Sequence, residues 1–136
     1  MKRILTLAVA AALSLSAAGC TKEQLEANMA YARQVADAIK QGAAVTAAAV
    51  RQGIDAACAN QAAVGLAYQT TRSVLIQQVG PNTTKNIDRL DRAMISYTNV
   101  CAAASNPQAT NLTALLSAAL AAYAEVKAAQ RAAGVQ

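Results

Sequence analysis

Histidine is absent from this 136-residue chain, so the groups able to do chemistry reduce to three cysteines, Cys20, Cys58 and Cys101, and seven carboxylates. Two thiols without an imidazole make a poor metal site, and no zinc-ligand spacing occurs. Most of the carboxylates have structural partners in the sequence itself. Lys22 and Glu26, Arg33 and Asp37, Arg51 and Asp55, and Asp88 and Arg92 each stand four apart, the spacing of exposed helical ion pairs that stabilise by about 0.2–0.5 kcal/mol each. Asp88 and Asp91, three apart, suit the start of a helix, where the dipole favours negative charge. No glycine-rich phosphate loop and no Ser-x-x-Lys appears. The sequence therefore predicts no catalytic residue, no metal, no cofactor and no small-molecule substrate.

One electrostatic feature remains. Arg72, Lys85, Arg89 and Arg92 gather around Gly80, offset by Asp88 and Asp91. Such a cluster forms either a solvated helix surface or a basic surface for lipid head groups, an acidic glycan or an acidic protein face. Across the chain the excess of positive charge is mild, and it argues against nucleic acid as a partner.

The elements that must carry these residues are helical. Alanine dominates, phenylalanine and tryptophan are missing, and four tyrosines are the only aromatics, so a core has to come from close packing of helices around small side chains. Thr21 to Gln24 has the form of a capping box. Leu25, Met29, Ala32, Ala36 and Ile39 then mark the apolar stripe of a helix running to about Lys40. Gly42 is the candidate break after it. Ala38-Ile-Lys-Gln-Gly42 is echoed by Ala49-Val-Arg-Gln-Gly53, eleven residues on, an interval of three helical turns that would keep both copies on one face of a continuous rod. A second stripe follows through Ile54, Ala57, Gln61, Val64, Tyr68, Thr71, Leu75 and Val79, and stops at Gly80-Pro81-Asn82, the strongest turn signal present. Beyond a cap at Asn82, Thr83 or Thr84, the residues Ile87, Leu90, Met94, Tyr97 and Cys101 give the cleanest amphipathic pattern. A last helix begins near Pro107 or Asn111, buries Leu112, Leu115, Leu116, Ala119, Tyr123 and Val126, and ends at Gly134.

The two downstream cysteines fit one supersecondary element. Facing residues of an antiparallel hairpin have a constant sum of positions, and the midpoint of 58 and 101 falls at the Gly80-Pro81 turn. The same register sets Tyr68 opposite Leu90 or Asp91, and Gly65 opposite Met94. We expect a Cys58 to Cys101 disulfide clamping the far end of that hairpin, as an oxidising compartment would allow. The fold class is all-α: a small alanine-rich bundle of three to four helices. Two arrangements are open, a compact bundle and a single rod over residues 22–79 of roughly 87 Å at 1.5 Å per residue, bundled only at its far end.

The N-terminus supplies the address. Met1-Lys2-Arg3, the apolar run Ile4 to Leu15 and the small residues Ser16 to Gly19 follow the order of an export signal; the run is too short to span a bilayer stably. Ending in Ala17-Ala18-Gly19-Cys20, the stretch resembles the lipobox of bacterial lipoproteins. The resemblance implies that Cys20 takes a diacylglyceryl group, that residues 1–19 are removed, and that the new amine is acylated. It also implies palmitate-type anchoring in the outer membrane, facing the periplasm, because Thr21 stands where an inner-membrane retention signal would place aspartate. Residues 20–136 then form one helical domain with ten basic and seven acidic side chains. With no flexible tether after the anchor, its first helix would start at the membrane surface. The expected function is that of a non-catalytic, lipid-anchored envelope lipoprotein with a structural or protein-interaction domain, acting through a protein partner or self-association. The alternatives are a phage- or mobile-element-encoded envelope effector, concerned with infection exclusion or lysis, and a soluble periplasmic binding or inhibitor protein should Cys20 carry no lipid.

Overall fold

The computed structural model describes residues 22–78 and 80–135. Cys20, Thr21 and the leader lie outside those residues, as does Val79. Five helices follow one another: α1 Lys22–Lys40, α2 Ala47–Cys58, α3 Gln61–Gln77, α4 Thr83–Ala104 and α5 Leu112–Ala133. The described residues contain no strand.

The continuous rod is not formed, because the chain reverses at Gly42. That glycine has φ 76°, a left-handed conformation that a Cβ would penalise. Its amide donates to the Ile39 carbonyl at 3.1 Å and that of Ala43 to Ala38 at 3.0 Å, the paired bonds of a Schellman motif that satisfy the last carbonyls of α1. Thr46 then restarts the helix, its hydroxyl accepting from the Ala49 amide at 3.1 Å. The second break, at Ala59-Asn60, raises the helix count above the expected three or four. Neither glycine nor proline marks it, and Asn60 makes no side-chain cap. Gly53, the echo of Gly42, interrupts nothing. A Cβ there would meet Val35 Cβ at 3.2 Å, so its missing side chain lets α2 settle against α1. The two similar pentapeptides therefore do opposite jobs, one turning the chain and the other packing it.

The hairpin register is as the spacing predicts. Tyr68 of α3 donates its hydroxyl to Asp91 of α4 at 2.7 Å, and a Cβ on Gly65 would lie 4.0 Å from Met94 Cε. Cys58 and Cys101 are bonded, with Cα atoms 5.5 Å apart. Because of the break at residue 59, however, the bond joins α2 rather than α3 to α4.

At the centre of the bundle lies α5, which packs against each of the other four helices. It is long and apolar enough to cross a membrane, with a mean hydropathy of 1.3, but Leu116, Ala119, Tyr123 and Val126 are buried against its neighbours. Leu112 and Leu115 are only half-buried. Pro107 stands in the connection before α5 rather than in its first turn. Gly134, at φ 75°, ends the helix with the same bonding pattern as Gly42. One large apolar cluster gathers Met29, Ile54, Val64, Tyr97 and Leu116. A smaller one holds Leu75, Leu90 and Val126. The largest fully buried side chain is Tyr97, and it donates its hydroxyl to the Ala57 carbonyl at 2.6 Å. That carbonyl belongs to the last turn of α2, where no intrahelical donor remains, so one tyrosine fills the core and closes a helix end. At the same end of the bundle the Arg51 guanidinium donates to the carbonyls of Ala104 and Asn106, capping α4 with positive charge where its dipole favours it.

Candidate functional site

The expected basic surface does not form one patch. Arg72 faces α4, its Nε 3.1 Å from the same Asp91 oxygen that accepts from Tyr68. Burial raises the Asp91 carboxyl, but the bonds from Tyr68 and Arg72 outweigh it and hold the group below its ordinary value of 3.8. Those interactions tie α3 to α4. Arg89 points the other way and pairs with Glu125 of α5 at 3.1 Å. It shares a shallow groove between α4 and α5 with Arg92, floored by Ala118, Ala121 and Ala122. Lys85 is exposed near the start of α4. Lys85, Arg89 and Arg92, spaced four and three apart, thus share one face of α4 with Arg89 paired to a carboxylate, while Arg72 stands apart from them.

Only one of the four expected ion pairs along a helix falls within contact distance among the pairs described, Arg51 with Asp55 at 4.0 Å. Glu26 instead accepts from Lys127 Nζ at 3.0 Å, across 101 residues of sequence. The Lys127 hydrogen bond, then its charge, lowers the Glu26 carboxyl below 4.5. Nearly half of the Glu26 side chain stays exposed, so this pair does more to position α1 on α5 than to stabilise the fold.

Beside that pair the surface opens into a cleft of about 260 Å³ between the first turns of α1 and the middle of α3, with α5 as its floor. Leu25 and Tyr123 form the base, and Ala63, Leu66 and Ala67 form the α3 wall. Lys22, Glu26 and Lys127 stand along the opposite lip. Leu66 is 65% exposed, the most of any large apolar side chain described, and it overhangs this cleft. Burial, followed by the Glu26 charge, raises the Tyr123 hydroxyl above its ordinary value of 10.0, leaving it a neutral donor and acceptor at the base.

Helical spacing alone did not reveal the cleft. Its walls come from three helices separated by some forty to sixty residues, and alanine at two wall positions looks in sequence like the alanine everywhere else. Leu66 was the one available signal, since it lies off the Val64, Tyr68, Thr71, Leu75 stripe. Among the described residues no group of three or more histidine, cysteine or acidic side chains is placed to hold a metal ion. The arrangement can bind an apolar group with a polar or charged end.

No protein-family model matches the chain, and neither the curated proteins nor the solved structures contain a significant match to it.

Proposed function

We infer that the chain is a non-catalytic lipoprotein of the bacterial cell envelope, held to a membrane by lipid on Cys20 and presenting its helical bundle to a protein partner. The observation that carries this reading is the Cys58–Cys101 cross-link in a chain whose first nineteen residues have the order of an export leader. A disulfide belongs to compartments outside the reducing cytosol, and the small residues before Cys20 resemble a lipobox. On this reading α1, which starts at Lys22, would begin at the membrane surface, without the flexible tether that outer-membrane lipoproteins often carry. The anchor end of the bundle carries the cleft described above, and the shallow alanine groove between α4 and α5 offers a second surface for a helical partner.

The test is the intact mass of the mature protein extracted from its native membrane. The expected species begins at Cys20, carries the mass of a diacylglyceryl group with or without a further acyl chain, and lacks two hydrogens. A lipid-free chain cut at another residue overturns the anchor. Two alkylatable thiols in addition to Cys20 overturn the compartment argument.

A further inference from the structure

The cleft between α1, α3 and α5 ends where the described chain begins. Lys22 lines its lip, and Cys20 lies two residues earlier, within about 7 Å of extended chain. We propose that the cleft houses part of one acyl chain carried by Cys20 itself. The inference rests on the lipidation reading above and adds a place for the lipid within the protein.

Five features point to that occupant. The lining is mainly apolar, with the exposed Leu66 on one wall and the nearly buried Leu25 and Tyr123 showing small parts of their surface beneath it. Leu66, 65% exposed, is where an acyl chain crossing the α3 wall would cover apolar surface that no side chain of the fold covers. The cleft, about 260 Å³ and open to solvent on one side, has room for only part of a long acyl chain, so the rest must leave toward the bilayer. Lys22 and Lys127, at the lip with Glu26, stand at the level of the glyceryl ester and phospholipid head groups, where lysine can keep its charge in water while its stem lies on apolar surface. The short reach from Cys20 makes entry intramolecular, with a high effective concentration of the chain at the cleft. With one chain held by protein and the others by the bilayer, the bundle is fixed in orientation against the membrane as well as tethered to it.

The test uses the mature lipidated protein, residues 20–136, in micelles of tail-deuterated detergent, with its lipid first verified by intact mass. Nuclear Overhauser contacts are expected between the protonated acyl methylenes and the Leu25 and Leu66 methyls and the Tyr123 ring. Ala67→Phe, which fills the cleft, should abolish them while helicity and the disulfide persist. Leu66→Ser, at an exposed side chain, should weaken them without disturbing the fold. Lipidated wild-type protein lacking these contacts overturns the proposal and leaves the anchor standing. A mass spectrum without lipid overturns both. Uptake of added lauric acid by the Cys20→Ser variant, when the lipidated protein shows no contact to its own chains, assigns the cleft to a lipid from solution and likewise refutes the proposal.

Discussion

Replacing Cys58 and Cys101 together by alanine tests the clamp directly. The two residues are separated by 43 positions, so the bond closes a loop of about 44 residues. In the chain-entropy treatment a loop of that length adds about 13 cal/mol/K of denatured-state entropy when opened, or about 4 kcal/mol at 25 °C. The native state contributes little further cost, because α2 and α4 are also joined by the Tyr97 bond to Ala57 and both pack on α5. Small domains have about 5–15 kcal/mol in all, so the bundle should stay folded but become much weaker. With a urea slope of about 1.5 kcal/mol/M, the midpoint should fall by roughly 2.5 M, and the slope should rise as the denatured chain expands. Circular dichroism at 222 nm across a urea series reads both quantities, and wild-type protein in dithiothreitol should reproduce the variant. A midpoint shift below about 0.5 M, equivalent to less than about 1 kcal/mol, would refute the entropic reasoning and imply that the reduced denatured chain already holds the hairpin.

Three further outcomes are expected. Tyr97→Phe leaves the Ala57 carbonyl without its buried donor and should cost about 1–3 kcal/mol; burial, then the neighbouring Tyr123 charge, pushes the Tyr97 hydroxyl up to about 12 from 10.0. Its stabilising contribution is therefore complete below pH 10 and lost as pH rises toward 12, and urea midpoints measured across that range should fall less steeply in the phenylalanine variant. Thr71 is fully buried with no hydrogen-bond partner for its hydroxyl, so Thr71→Val should raise stability by about 1 kcal/mol, read from the same denaturation curves. Gly42→Ala meets no atom within 4 Å yet forces a Cβ onto a backbone with φ 76°, so a thermal melt should show a loss of about 1–2 kcal/mol, smaller for Gly42→Asn.

The hairpin was the most legible part of the chain because two independent signals agreed on it. Gly80-Pro81 marked the turn, and the cysteine positions fixed the register that Tyr68 and Asp91 then keep. The helical class followed from alanine and from apolar spacing, and Leu25, Met29, Ile54, Leu75, Leu90 and Leu116 lie inside as their stripes require. Sequence reasoning left the rod open, because a single glycine leaves either outcome accessible and the tertiary contact of α1 with α2 and α5 decides it. The break at Ala59-Asn60 had no local signal beyond asparagine. Long-range pairs were illegible for the same reason: Glu26 had Lys22 four residues away and takes Lys127 instead, since the closing of α1 on α5 brings that ammonium nearer. The basic cluster misled because proximity in sequence around a turn places side chains on opposite sides of a helix, Arg72 toward Asp91 and Arg89 toward Glu125.

The Cys58–Cys101 bond also divides the molecule topologically. Together with the backbone between them it makes a closed covalent ring containing α3 and all but the last residues of α4, with α1 and α2 leading in and α5 leading out. A protease that cuts the exposed turn around Pro81 therefore opens the ring without releasing a fragment. The nicked protein would keep its mass on a non-reducing gel, gaining only one water, and separate into two pieces after reduction. Damage at this exposed turn would then leave both halves of the chain joined through the disulfide.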